Sequence, residues 1–325
     1  MATFRAVCLC FLLFSHIGQA DDSTPPSFGP LIVQSQAPLQ ITGLTPILQD
    51  PLSLNAGQSD LFASATVGSV WANTPEYQLD YYHNQFMAGF LHALDEQKRV
   101  GLWLQYRYAA NNRLDGLTEA FHRFFGIDQN GRTEVDEDRF YIDIPATMDA
   151  PAKDFVGDAI ISAINVYGEQ TLYQTMHHAV SAGVTLFFNR VNHGVFANTS
   201  FEQAAQINYG YHHEKHRLTA TVALVHRPDK PQHVMAVKPW GVHAGISYQY
   251  RWLDNHELIG EYLISQGKGD DPRLGEFNAL VHEFALGYRY LFGSSALELV
   301  ALENMFNHDN STDIVFSATF RHRFL

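Results

Sequence analysis

The chain has 325 residues, 46% hydrophobic and 17% charged, with a formal charge of −13. So acidic a balance argues against nucleic acid as a partner. Both cysteines, Cys8 and Cys10, fall within the first twenty residues, so the remainder has no disulfide and no thiolate ligand or nucleophile.

Residues 1–20 read as a secretory signal peptide. Arg5 supplies the positive start, Ala6 to Phe14 the apolar centre, and Gly18-Gln19-Ala20 the small residues of a cleavage site. Cleavage there leaves 305 residues and a formal charge of −14. No later apolar run reaches about 18 residues, so no transmembrane helix is expected; a membrane barrel would escape that test, because its strands need only about 9–11 residues. Residues 21–57 are rich in Pro, Gln and Ser. Their prolines cannot donate to a strand ladder, yet Leu31, Ile32, Val33, Leu39, Ile41 and Leu44 are too apolar for a solvated tail. This segment is therefore expected to enter a barrel lumen or fold against its periplasmic rim.

From Gln58 onward the pattern has period two. In 99-RVGLWLQYRYA-109, Val100, Leu102, Leu104, Tyr106 and Tyr108 oppose Arg99, Trp103, Gln105 and Arg107. In 277-FNALVHEFALGYRYLFGSS-295, Leu280, Phe284, Leu286, Tyr288, Tyr290 and Phe292 oppose Glu283, Ala285, Gly287 and Arg289. One face suits lipid and the other a polar interior. Several such strands pass about ten residues, against a usual 5–6 in globular proteins, which favours a membrane barrel over a soluble β-fold. Strands are expected near 58–73, 76–94, 99–109, 154–167, 173–189, 200–212, 216–228, 236–252, 256–267, 277–292, 296–308 and 312–325. That is an all-β, antiparallel transmembrane barrel of about twelve strands, with ten to fourteen allowed by two poorly alternating segments. Tight turns at 95–98, 168–171, 213–215, 253–255 and 293–295 alternate with longer connections, the longest being 110–153. The last strand ends in Phe324-Leu325, close to the terminal aromatic by which outer-membrane insertion machinery recognises barrels.

Two stretches carry a resemblance. The entry segment 28-FGPLIVQSQAPLQITGL-44, and the run 114-LDGLTEAFHRFFGIDQNGR-132 followed by 134-EVDEDRF-140 and 154-DFVGDAIISAINVY-167, are similar to the bacterial family called domain of unknown function 3187. The resemblance spans most of the chain and implies an exported outer-membrane barrel. It brings no activity and no site.

Within loop 110–153, Leu114, Leu117, Phe121, Phe124 and Phe125 recur at helical spacing, and Gly126 is placed to end the helix. The helix is expected either to cover its own apolar residues by folding over the mouth, or to bind a ligand or lipid headgroups. Inward-facing Arg99, Arg107, Arg217, Arg251, Arg289 and Arg321 are expected to meet Asp158, Glu257, Glu261, Glu283 and Glu298, as a selectivity lining or as ion pairs that fill the lumen. The seventeen histidines hold no fixed zinc spacing, so no metal is assigned; His212, His213 and His216 are the weak candidates. His193 and Ser200 lie too far apart along a strand for proton transfer, so no catalytic residue and no cofactor is expected. The functional expectation is a narrow channel for small polar solutes or a structural envelope protein. A lipid-acting hydrolase and a surface-binding module using loop 110–153 are the alternatives, and the oligomeric state stays open.

Overall fold

Alternation of apolar and polar residues over ten or more positions gives strands with two different faces, and joining them edge to edge satisfies every ladder bond only if the sheet closes. The computed structural model, which describes residues 27–228, 236–310 and 312–324, closes in this way. Its barrel strands are β1 (Ser59–Asn73), β2 (Gln78–Ala93), β3 (Lys98–Ala110), β5 (Ala159–Gln174), β6 (His178–Val191), β7 (Asn198–His213), β8 (His216–His226), β9 (Trp240–Leu253), β10 (His256–Ser265), β11 (Val281–Phe292), β12 (Ser295–Phe306) and β13 (Ile314–Phe324). Each is antiparallel to both neighbours, and β1 pairs with β13 as well as β2, which closes a barrel of twelve strands. The short β4 (Tyr141–Asp143) pairs with Gln78–Asp80 of β2 and extends the wall above β3.

Both ends of the barrel chain, Ser59 and Phe324, meet at the rim of short turns. Longer connections gather at the other rim. All twelve expected strands are present. The fourth differs in its limits: residues 168–171, expected to turn, lie inside β5, and the chain turns at 175–177 instead. A register shift between Thr171 and Tyr173 breaks the alternation there, so period two was lost before the strand was.

Parity decides which solvent each side chain meets. Leu104, Ile164, Val184, Ile207, Val222, Leu286 and Leu299 stand uncovered on the outer wall, a far larger apolar surface than a water-soluble monomer tolerates. Near the short-turn rim one outer arrangement recurs. His178, His216 and His256 open β6, β8 and β10, opposite Tyr211, Tyr250 and Tyr290 of the next strand. Their Nδ1 atoms lie 2.9, 2.6 and 2.6 Å from the hydroxyls of Tyr209, Tyr248 and Tyr288. Polar aromatic tips at this height suit an interface between apolar and aqueous layers.

At the long-loop rim, an apolar cluster covers the mouth. It joins Val70, Ala72, Leu79 and Tyr81 of the wall to Ile142, Ile144, Phe155 and Phe277 of the connections. Phe140 stacks on Phe155 with centroids 4.0 Å apart, and Tyr77 on Phe277 at 4.1 Å.

The helix α1 (Asp115–Phe125) forms where its spacing indicated, and ends at Gly126, whose left-handed φ of 70° turns the chain so that Ile127 N donates to His122 O at 2.9 Å. Its placement corrects the expectation of a helix over the mouth. Residues 140–158 cover the mouth, while α1 lies against the outside of the barrel. Asp115, Thr118 and His122 are its buried residues, whereas Leu117, Phe124 and Phe125 are exposed, Phe124 by 82%. Phe121 touches Phe316 of β13 edge-on, with centroids 6.0 Å apart. The helix turns its polar side to the protein because the outer wall there offers hydrogen-bond partners: Tyr82 Oη donates to Asp115 Oδ1 at 2.7 Å and lies 3.2 Å from Thr118 Oγ1.

Candidate functional site

Residues 27–57 run inside the barrel as a U. The segment starts at the short-turn end beside Arg289, Arg321 and Arg323, climbs to a 3-10 turn at Gln40–Thr42 near the long-loop end, and descends past Arg99 into β1. Phe28, Leu31, Ala37, Ile41 and Leu44 are buried. Leu31 and Val33 pack on Ile259, Leu263, Ala285 and Val300, the small apolar patches of the inner wall. Gly287 and Gly245 leave room for this, since a Cβ at either would meet Leu31 or Leu48 at 2.7 Å.

Irregular backbone inside a barrel has no ladder, so its amides and carbonyls need side-chain partners. The inward charges serve. Glu261 Oε1 accepts from Leu31 N at 2.8 Å, Glu283 Oε1 from Gln36 N at 2.8 Å, and Glu202 Oε2 from Leu44 N at 3.0 Å. Arg289 donates to Gly29 O at 2.7 Å, Arg321 to Pro30 O at 2.8 Å, Arg107 to Ile41 O at 2.7 Å and Arg99 to Asp50 O at 2.6 Å. At the apex, Lys268 Nζ donates to Thr42 Oγ1 at 2.9 Å and to Leu39 O at 3.3 Å.

The wall charges also join each other. Glu257 receives Arg289 at 2.7 Å, Arg217 at 2.9 Å and Arg251 at 2.7 Å. Glu298 receives Arg289 at 2.8 Å and Arg321 at 3.3 Å, and Arg321 reaches Asp60. Arg99 is paired with Glu169. Of the eleven residues expected to line the lumen, the structure places ten there. Asp158 is elsewhere: it precedes β5 at the long-loop rim, where its carboxylate accepts from Val195 N at 3.2 Å. The chain leaves the barrel wall at that point, so strand parity no longer governs it.

Sequence reading missed Asp60, Glu169, Glu202, Lys268 and Arg323 as interior charges, whereas Arg227, on the polar face of 217–227 with Arg217, is buried beside Glu202. Parity within β1 and β7 could have found Asp60 and Glu202. Glu169 was hidden by the misplaced turn, and Lys268 lies beyond the strand end. With the U in place, two voids among the described interior residues measure about 20 and about 30 Å³, each room for roughly one water.

The three histidines considered for a metal are not brought together. His212 turns inward, its Nε2 2.6 Å from Asp50 Oδ2. His213 packs edge-on against His177 at 5.2 Å, and His216 bonds Tyr248. His193 is exposed in a connection, and Ser200 donates to Glu202 Oε1 at 3.1 Å. That geometry offers no nucleophile and base pair.

Comparison with known proteins gives the same architecture. A family model described as "Protein of unknown function (DUF3187)" matches residues 8–324. Among solved structures, the COG4313 outer membrane channel from Pseudomonas putida F1 superposes with a TM-score of 0.58 at 10% identity, covering 86% of this chain and 100% of that one. The NanC porin gives a TM-score of 0.47 at 7% identity, covering 82% of this chain and 100% of that one. The first likeness supports the fold. No curated protein matches the sequence. A closed barrel of this kind, with its uncovered apolar belt, belongs in a bilayer.

Proposed function

Given that the chain belongs to the family described as "Protein of unknown function (DUF3187)", we propose that it is an outer-membrane barrel acting as a narrow channel for small polar solutes, closed in this conformation by residues 27–57. On this reading the signal peptide directs export, the short turns and both barrel ends face the periplasm, and the long connections face outside. The observation that carries it is the way the interior is filled. The U is held by hydrogen bonds and side-chain packing, not as a strand of the sheet, so it can leave without breaking the barrel ladder. Its departure would expose Arg107, Glu261, Glu283, Arg289 and Arg321, a polar lining with both signs of charge. The solved channel that resembles this chain supports the reading through its fold.

A structural envelope role is the second reading. It is favoured by Glu257, whose contacts with three arginines tie β8, β9, β10 and β11 together across the interior. Single-channel recording in planar lipid bilayers separates the two. The full-length protein is expected to show rare, short openings, and a variant lacking residues 28–57 a sustained conductance. Heat-modifiable gel migration checks that the shortened barrel is folded. A closed trace from both folded proteins at every voltage removes the channel reading and leaves the structural one.

A further inference from the structure

Beneath α1, on the outer wall, three side chains from distant parts of the chain converge: His122 of α1, Glu303 of β12 and Asp313 of the β12–β13 connection. His122 Nε2 lies 3.8 Å from Glu303 Oε2 and 3.6 Å from Asp313 Oδ1, and one atom from each residue falls within 4.8 Å of the other two. The imidazole is 98% buried by its side-chain exposure of 2%. Neither its Nε2 nor either Glu303 carboxylate oxygen has a hydrogen-bond partner in the chain. Unpaired buried polar atoms of this kind are costly, and here they face one another.

The surroundings decide what they await. His122 Nδ1 lies 3.3 Å from Gln129 Oε1, and Gln129 Nε2 donates to Glu119 O at 3.1 Å, which turns the amide oxygen toward the ring. In that orientation Nδ1–H donates to Gln129 Oε1, and Nε2 is left facing the two carboxylates. No other side chain satisfies Nε2 or the Glu303 carboxylate. Asp313 is fixed through its other oxygen, which accepts from Arg132 at 2.7 Å and from Ser69 Oγ at 3.1 Å. This is the outer support that metal-ligating imidazoles and carboxylates require. Arg132 also binds Asp115 at 2.7 Å, so the three carboxylates of Asp115, Glu303 and Asp313 share one guanidinium and the His122 imidazole as ion-pair partners.

We propose that His122, Glu303 and Asp313 form a binding site for one divalent transition-metal ion of the zinc class. One imidazole nitrogen and two carboxylates suit such an ion, and Glu303 with two free oxygens can fill a fourth position. The ion would sit between the imidazole and the carboxylates and staple the loop helix to β12 and β13, holding Leu117, Phe124 and Phe125 outward. It is independent of the channel reading, because the site lies outside the lumen.

The test uses full-length protein in detergent, stripped with chelator and dialysed against ZnCl₂. Metal analysis is expected to find one zinc per chain that is lost in Glu303→Gln and in Asp313→Asn but kept in His213→Ala, which controls for exposed histidines. Zinc is expected to slow tryptic cleavage after Arg113 and Arg123 at least tenfold in the wild type alone. Should the carboxamide variants fail to fold, the wild type is loaded with Co²⁺, and visible ligand-field absorption at one equivalent is expected. Zinc uptake equal in wild type and folded variants, or no cobalt band, overturns the site. The cluster is then a protonated His122 shared between two carboxylates.

Discussion

The interior of the barrel and the outer wall under α1 both bury ionisable side chains, but they reach that state from opposite starting points. Inside, parity puts Arg107, Glu261, Glu283 and Arg289 where they belong, and a second piece of the same chain supplies what they lack. Outside, parity puts Ser69, Asp80, Tyr82 and Glu303 on the face that elsewhere carries Leu and Phe, and a loop must be laid over them. Arg132 reaches Asp115, Asp313 and Ser69, and Arg139 reaches Asp80 at 3.1 Å. The difference teaches that a barrel's two solvents are set by the sheet, and that a loop can change one of them locally.

The largest effect is expected at Glu257. Glu257→Gln leaves Arg217, Arg251 and Arg289 without their common carboxylate, and breaking a buried pair costs about 3–5 kcal/mol. Urea unfolding in lipid vesicles should show the loss, and a change under about 1 kcal/mol would mean that the U alone holds the interior.

Next is the apex. Burial pushes the Lys268 ammonium down to about 7, against 10.5 for a free lysine, with Glu202 opposing and Arg227 adding to the shift. A base whose folded value is lowered binds its proton more weakly when folded. Stability is therefore highest above about pH 10, falls as pH drops toward 7, and is flat below. The unfolding midpoint of the wild type should rise between pH 7 and pH 10, and Lys268→Met should remove most of that slope. An unchanged slope would place the titrating group elsewhere.

On the outer wall the cost should be smaller, since a loop that lifts away can hydrate its charges. Arg132→Met is expected to destabilise by about 2–3 kcal/mol, below the full value for a buried pair, and to speed proteolysis within 111–140 without altering conductance. Altered conductance would show the two regions to be coupled. Smallest is Gly126→Ala. Nothing lies within 4 Å of a Cβ at this position, so the cost is backbone strain alone, about 1 kcal/mol. Local hydrogen exchange in α1 should rise while global unfolding stays unchanged.

Much of the barrel was legible because period two is a local signal. Each strand of the wall reports its own faces, and the twelve strands could be counted without knowing their partners. The helix was legible from Leu117, Phe121 and Phe124, and its end from Gly126. Its orientation was not, because an amphipathic pattern tells which side differs, not which side is buried when lipid is one solvent. The outer cluster was illegible for another reason. Asp115, His122, Arg132, Glu303 and Asp313 meet through tertiary folding alone, so no spacing announces them. One clue was available: Glu303 follows Leu297, Leu299 and Ala301 on the lipid-facing side of β12, where a bare carboxylate is not sustainable.

The histidine and tyrosine pairs at the short-turn rim bear on how such a wall is composed. Three successive hairpins, β6–β7, β8–β9 and β10–β11, each begin with the histidine and end with Tyr-x-Tyr: Tyr209-Gly-Tyr211, Tyr248-Gln-Tyr250 and Tyr288-Arg-Tyr290. The repeat follows from the height these residues share at the edge of the apolar belt. Beside each repeated outer pair the inward neighbours differ: Ala179 and Gly210, Arg217 and Gln249, and Glu257 and Arg289. The hairpin with Gly210 makes space for Asp50, whose Oδ1 a Cβ there would meet at 2.5 Å, and the other two supply Arg217, Glu257 and Arg289 to the ion pairs around Glu257. The three hairpins thus stay alike where they share a solvent and differ where each has a private neighbour, so the outer wall follows one rule while the interior is composed position by position.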